Sequence, residues 1–254
     1  MSLDLTVAII ATNEESNIAR AVASARGLGR ILVVDGGSTD RTVEAARAAG
    51  AEVLANPWPG FAAQRRFALA RVSTEWILFL DADEEISPEL AGELRSLAPA
   101  SAGYRIRRRN YFLGRVMSHG AWGRDAVLRL ARARKADVPE RAVHEEMSVD
   151  GQVSSLSHPI IHHAQNDFAT VGAKFALYMP LMAEELVRRR RRIGMIETLA
   201  RAKLAFLRDY ILRAGFLDGW RGFVLAFWGM SSNVAKYAEA KRLLEEEADR
   251  ARHR

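Results

Sequence analysis

The sequence predicts an α/β chain: a mostly parallel sheet with helices on both faces, followed by a C-terminal helical region. Three observations carry this. Continuous apolar runs alternate with segments of helical spacing through the first part of the chain, the pattern of a parallel sheet covered on both sides. That alternation stops near Gly103, after which strands, loops and turns follow without a long helix as far as about Ile161. From about Asp167 onward the periodicity is helical throughout.

The elements follow in order. Residues 5–11 form a buried strand. Residues 14–26 have helical spacing, with Ile18, Val22 and Ala25 on one face. Residues 31–34 are a second buried strand, closed by Asp35-Gly36-Gly37. Ser38-Thr39-Asp40 caps a helix over 41–49, and Gly50 ends it. A short third strand covers 51–54, a helix 60–70, and a fourth strand 75–80. Ser87-Pro88-Glu89 reads as an N-cap with proline in the first turn, opening a helix over 88–96. The tail divides into helices over 167–192, 195–213 and 218–248, and there is no internal repeat.

Composition narrows the function classes. The chain has 254 residues and no cysteine, so disulfides and thiolate chemistry are excluded. The N-terminus lacks a basic segment followed by an apolar stretch, so no signal peptide is expected. The longest tail candidate for a membrane span, Gly222 to Met230, is far short of the roughly 20 residues a span needs. The expected location is the cytoplasm. Lys+Arg number 37 against 31 Asp+Glu, a formal charge of +6 concentrated in Arg105–Arg109, Arg129–Lys135 and Arg188–Arg192. Such a balance suits an anionic partner. Nucleic acid is not expected, because stacking aromatics are not interleaved with the arginines in a recognisable module.

Four segments carry candidate chemistry. Asp81-Ala82-Asp83 ends the apolar run of the fourth strand, and two carboxylates there suit a hard divalent cation that bridges to phosphate. The plain structural reading is a solvated acidic turn opening a helix. Asp35 emerges from the second strand before two glycines that let backbone approach a ligand; the plain reading is a capped strand-to-helix turn. No Gly-Lys-Ser/Thr follows, and no G-x-G-x-x-G follows the first strand, so neither a Walker loop nor a dinucleotide site is expected. His144-Glu145-Glu146 places carboxylates beside an imidazole, a general-base arrangement if it lies in a cleft and a polar loop if it does not. His158, His162 and His163 cluster, but without cysteine or H-E-x-x-H they do not read as zinc; His162 completing a shell begun by Asp83 is the metal reading.

In combination these segments resemble family 2 glycosyltransferases, whose catalytic domain has the GT-A fold. The resemblance rests on Thr12-Asn13-Glu14-Glu15 after the first strand, Asp35-Gly36-Gly37-Ser38-Thr39-Asp40 after the second and Asp81-Ala82-Asp83-Glu84 after the fourth. Gln64-Arg65-Arg66-Phe67, Val143-His144-Glu145, Pro159-Ile160-Ile161-His162 and Tyr210 to Gly219 are similar to the subgroup of lipopolysaccharide core β-1,4-glucosyltransferases. The resemblance implies residues 1–165 as the GT-A domain, with a nucleotide-sugar half (1–100) and an acceptor-side half (101–165), and 166–254 as the helical region. It implies a UDP-sugar donor, a glycolipid or oligosaccharide acceptor, and Mg²⁺ or Mn²⁺. Asp35 would contact the base, with Thr12, Asn13 and Glu14 lining the base and ribose pocket, Gln64 and Arg65 beside the nucleotide sugar, Asp81 near ribose and metal, and Asp83 on the metal. One departure exists: Asp35-Gly36-Gly37 stands where many relatives carry Asp-Asp-Gly.

The implied reaction is a single displacement that inverts the anomeric centre. A divalent ion would stabilise the leaving diphosphate. Glu145 is the first choice for the base that deprotonates the acceptor hydroxyl, Glu146 the second, with His144 orienting the carboxylate or ligating the metal. A nucleotidyltransferase and a non-catalytic nucleotide-sugar-binding protein are the competing readings. In the tail, Arg188–Arg192 and the aromatics of Phe216–Trp228 suit a helix lying on an anionic membrane surface; core packing or a dimer seam explains the same residues.

Overall fold

The computed structural model describes residues 3–139, 147–165, 167–188 and 194–252. The chain divides into two compact units, one of residues 1–110 and 125–164, the other of residues 111–124 and 165–254. Residues 111–124 therefore group with the C-terminal helices.

The alternating pattern becomes β1 (Leu5–Ala11), α1 (Ile18–Ser24), β2 (Arg30–Asp35), α2 (Thr42–Ala48), β3 (Glu52–Ala55), α3 (Phe61–Leu69) and β4 (Trp76–Asp81). Then come β5 (Glu84–Ile86), α4 (Pro88–Ser96), β6 (Gly103–Phe112), β7 (Arg115–Val116), β8 (Ala126–Arg132), β9 (Ala136–Asp137), β10 (Ser148–Val149), β11 (Val153–Ser155) and β12 (Ile160–Gln165). The sheet runs β3-β2-β1-β4-β8-β6-β12-β5, with β11 pairing beside β6, while β9 and β10 form a separate ribbon. β3, β2, β1 and β4 are mutually parallel; β8 joins β4 antiparallel and β6 joins β8 antiparallel. The sheet is thus mixed, with its parallel half built from the first part of the sequence.

Strand residues alternate between two cores. Val7, Ile9, Val33, Leu78 and Leu80 face α1, α2 and α4, where Ile18, Val22, Ala46, Leu90 and Leu94 meet them. Ala8, Ile10, Leu32, Val34, Ile77 and Phe79 face α3, through Ala62 and Ala68. Burial on both faces explains why β1 and β4 read as near-continuous apolar runs rather than alternating ones.

Local signals place most boundaries. Ser87 accepts a hydrogen bond from the Leu90 N–H at 3.1 Å with Pro88 in the first turn of α4, as the sequence predicts. α1 begins later than predicted because Glu14–Asn17 form a turn, with the N–H groups of Asn17 and Ile18 both bonding to Glu14 O at 2.9 Å. β5 is unpredicted: Glu84–Ile86 reads as an acidic turn but pairs antiparallel with β12, Glu84 opposite His162 and Ile86 opposite Ile160.

The second unit holds α5 (Phe168–Arg188), α6 (Met195–Leu207) and α7 (Gly219–Arg252). α6 continues into a π-helical turn, Arg208–Leu212, and a 3₁₀ turn, Gly215–Asp218, precedes α7. α7 packs against both α5 and α6. Its start sits so close to the 3₁₀ turn that a Cβ on Gly222 would fall 1.9 Å from Gly215 O. Among the described residues no helix is long and apolar enough to cross a membrane.

Leu78 is fully buried at the centre of the parallel half. Leu78→Ala is expected to destabilise the first unit by about 2–5 kcal/mol, the usual transfer-plus-cavity cost, read as a lower urea midpoint with an unchanged slope.

Candidate active site

The parallel strands β2, β1 and β4 end side by side, with Ala11 opposite Asp35 and Ile10 opposite Asp81. Their carboxyl ends open the crevice in which α/β sheets bind ligands. Asp35 and Asp81 therefore flank the end of β1, and the loops after β1 and β2 form one wall.

Those two loops are joined by hydrogen bonds. Asn13, at φ 55°, donates its N–H to Ser38 Oγ at 2.9 Å and accepts from the Thr39 N–H at 2.8 Å. The Glu14 N–H donates to Thr42 Oγ1 at 2.7 Å, and the Arg41 N–H to Glu15 at 3.0 Å. Asp35, buried, accepts from the N–H of Gly37 at 3.0 Å and from the N–H and hydroxyl of Ser38 at 3.1 and 2.5 Å. Asp40 accepts from the Thr42 N–H and hydroxyl at 3.0 and 2.5 Å, and the hydroxyl bond is the main cause that holds its carboxyl below the ordinary range. Gly36 is required by close approach: a Cβ there would lie 2.1 Å from Thr12 Oγ1 and 2.6 Å from the Trp58 ring. Thr12, Gly36 and the partly exposed Trp58 thus converge at the mouth of the Asp35 turn.

A chain of charges runs from Asp81 round to Asp83. Asp81 accepts from Arg65 at 2.8 Å and also from Arg129. Arg129 donates to Glu84 at 2.7 Å, and the other Glu84 oxygen accepts the Asp81 N–H at 2.9 Å. Arg108 stands 3.5 Å from Glu84 and donates from Nε to Asp125 at 2.7 Å. Asp125 accepts from Asn110 Nδ2 at 3.3 Å, which turns the amide oxygen of Asn110 toward His162 Nδ1 at 2.6 Å. In the neutral imidazole His162 Nδ1 is then the donor, which leaves Nε2 without a proton 3.5 Å from Asp83 Oδ1. Two electron-rich atoms facing each other across that distance fit a cation between them. Among the described residues no third His, Asp or Glu joins them in one ligand group.

Burial would raise the Asp81 carboxyl, but the guanidiniums of Arg129 and Arg65 outweigh it and hold the group well below the usual carboxylate range. Burial likewise pulls Arg129 down, and Asp81 and Glu84 reverse this, so its pKa lies above its ordinary value. In the sequence Arg129 opens one of the basic runs that suit an anionic partner. In the structure it is not available to such a partner: it is buried beneath the site as the counter-ion of Asp81 and Glu84.

The predicted residues are distributed as follows. Thr12, Asn13, Glu14 and Asp35 lie in the joined loops, Arg65 and Asp81 form an ion pair, and Asp83 meets His162 across the β5–β12 pairing. Gln64 is fully buried, its amide engaged by Asn56 at 2.7 and 3.2 Å, so it shapes the loop before α3 from beneath. His144, Glu145 and Glu146 lie outside the described residues. Sequence reasoning missed Glu84, Arg108, Asn110 and Asp125. A signal existed for two of them, since Arg108 and Asn110 share the strand parity of the buried Ile106 and Phe112.

Arg129→Ala leaves the buried Glu84 carboxylate without its nearest cation and is expected to cost about 3–5 kcal/mol, measured by denaturant unfolding. The lowered Asp81 pKa sets a pH dependence. The unfolded chain takes up the Asp81 proton near the ordinary carboxylate pKa of about 3.9, above the folded-state value. Stability from this group is therefore complete above pH ~4 and lost as pH falls further, and Asp81→Asn is expected to flatten that acid limb in urea titrations between about pH 5 and 2.

An uncharacterized glycosyltransferase of Rickettsia typhi is 29% identical over 85% of this chain and 79% of its own. The lipopolysaccharide core biosynthesis glycosyltransferase LpsC of Rhizobium meliloti is 28% identical over 98% of this chain and 95% of its own. Glucosyl-3-phosphoglycerate synthase from Mycobacterium tuberculosis aligns in structure with a TM-score of 0.49 at 20% identity, over 73% of this chain and 80% of that one. The model of glycosyl transferase family 2 matches residues 6–134, from β1 through the Asp81–Asp83 segment to the end of β8, and the chain belongs to that family.

Proposed function

We propose that this glycosyltransferase moves a hexose, glucose first among the candidates, from a UDP-sugar to a lipopolysaccharide inner-core sugar or another glycolipid, with inversion in a single displacement. The observation that carries the reading is the Asp83–His162 pair at the end of β4, with the imidazole tautomer set by Asn110 and Asp125. The near full-length similarity to LpsC supports the acceptor class.

We assign the roles on the chemistry of the residue types and, for the described residues, on their contacts. A carboxylate oxygen and a bare imidazole nitrogen suit Mg²⁺ or Mn²⁺, with the imidazole favouring Mn²⁺. When bound, the ion would neutralise charge developing on the leaving diphosphate. Asp83 and His162 are assigned to hold it. Asp81, already committed to Arg65 and Arg129, is assigned to the ribose side and, as a metal ligand, is a weaker choice than Asp83. Asn13, Glu14, Asp35 and Thr12 are assigned to the base and ribose, with Trp58 closing that wall; Gln64 and Arg65 hold the pocket from behind. Glu145 is assigned as the base that takes the acceptor proton, with Glu146 as substitute and His144 beside them.

The direct test is a panel of UDP-sugars assayed for metal-dependent hydrolysis and binding; no response to any donor, with or without Mn²⁺, overturns the reading. Asp83→Ala and His162→Ala are expected to weaken Mn²⁺-dependent UDP binding in calorimetry, and Asn110→Ala to weaken it about 10–100-fold by releasing the imidazole. Glu145→Gln is expected to keep donor binding and to slow transfer about 10²–10⁴-fold. Normal turnover by that variant would remove Glu145 from the role of base.

A further inference from the structure

The helical unit carries its large apolar residues on the side that faces water. In α6 the buried residues are small, Thr198 and Ala202, whereas Ile196, Leu199 and Leu207 face outward, Ile196 with 86% of its surface exposed. The start of α7 repeats the inversion: Gly222 and Ala226 are buried, and Phe223 and Phe227, one helical turn apart, are exposed. The two faces are continuous, because the Phe223 ring lies 5.9 Å from Phe206 and 5.7 Å from Tyr210. A surface helix in a water-soluble unit shows the opposite pattern, and an apolar surface of this extent marks an interaction site.

Charge identifies the partner. Residues 188–221 contain ten Lys/Arg and three Asp/Glu, whereas the whole chain nets +6, so this segment holds more than the entire excess. Its acids are already engaged. Glu197 pairs with Arg201, and Asp209 with Arg208 and Arg213, while Asp218 accepts from the N–H groups of Ser118 and His119. Lys203 stands exposed on α6 at the same helical spacing as Ile196 and Leu207. Of the arginine run, Arg189–Arg192 lie outside the described residues.

The geometry points to a bilayer-binding face: α6, the turns over 208–218 and the start of α7 lie on an anionic phospholipid leaflet, apolar side chains entering the headgroup boundary and cations meeting the phosphates. No described helix can span, so the face rests on the leaflet. A second copy of the chain is a poor occupant, since pairing two such faces would bring two strongly cationic segments together. The surface stands whatever sugar the enzyme moves.

Vesicle flotation of the full chain tests it. The protein is expected to float with phosphatidylcholine vesicles containing about 30% phosphatidylglycerol and not with phosphatidylcholine alone, and to dissociate substantially when salt rises from about 0.1 to 0.5 M. Ile196→Ser with Leu199→Ser is expected to keep the thermal midpoint and UDP-sugar hydrolysis measured without vesicles, and to lose at least about tenfold in vesicle partitioning. Vesicles should also shift tryptophan emission to the blue, an effect reduced in Trp220→Phe. Equal flotation of the double variant and the parent overturns the proposal. So does an absence of vesicle binding together with a dimer in sedimentation velocity that the double variant dissolves. Vesicle binding that persists without any donor hydrolysis would sink the transfer reading and leave this surface intact.

Discussion

The Glu84 side chain has no access to water, and three donors answer for its oxygens: the Asp81 N–H, Arg129 and Arg108. Moving a carboxylate out of water costs several kcal/mol, so such a group is tolerated only where partners of good geometry surround it. Here the partners come from β4, β6 and β8. One buried charge therefore fixes the relative placement of three strands at the point where the sheet turns from parallel to antiparallel. Asp81 ends β4, and Asp83 lies in the short connection to β5. Glu84 takes the N–H of Asp81 directly, and its place opposite His162 in the β5–β12 pairing sets the histidine beside Asp83.

The arrangement separates two tasks that one acidic motif suggests together. Asp81 is bound to two guanidiniums and serves chiefly as part of a rigid electrostatic frame. Asp83 faces a histidine whose ring is oriented by an amide, itself oriented by a carboxylate. The first arrangement keeps a carboxylate ionised across the physiological range; the second presents lone pairs with little freedom to rearrange, which is what precise placement of a cation demands.

Much of this was legible in the sequence. β1, β2 and β4 announced themselves as apolar runs, and the Ser87-Pro88 cap located α4, because both signals are local. The loop acids were found because they follow those runs. β5 was not legible: three residues beginning with two glutamates have no strand signal, and their partner lies more than seventy positions away. The same applies to Arg129, which reads only as the start of a basic run because its counter-charges are 45 and 48 positions distant. An arginine between Leu128 and Leu130, inside the apolar stretch of β8, was the clue, but only the fold supplies its partners. In the tail the periodicity gave the helices, while which face would be left bare depended on how α6 met α7.

The order of strands also bears on how the chain is made. β4 lies between β1, already synthesised, and β8, which begins only at Ala126. At roughly 5–20 residues per second, a ribosome leaves the far edge of β4 unpaired for about 3–10 s after Asp81 is complete. During that interval the strand Trp76–Asp81 offers open backbone donors and acceptors on an apolar ribbon, the kind of edge that recruits other chains. The nascent protein is thus most exposed to misassembly before its second half emerges, and the pairing of β8 that encloses the arginine beneath the site also closes that edge.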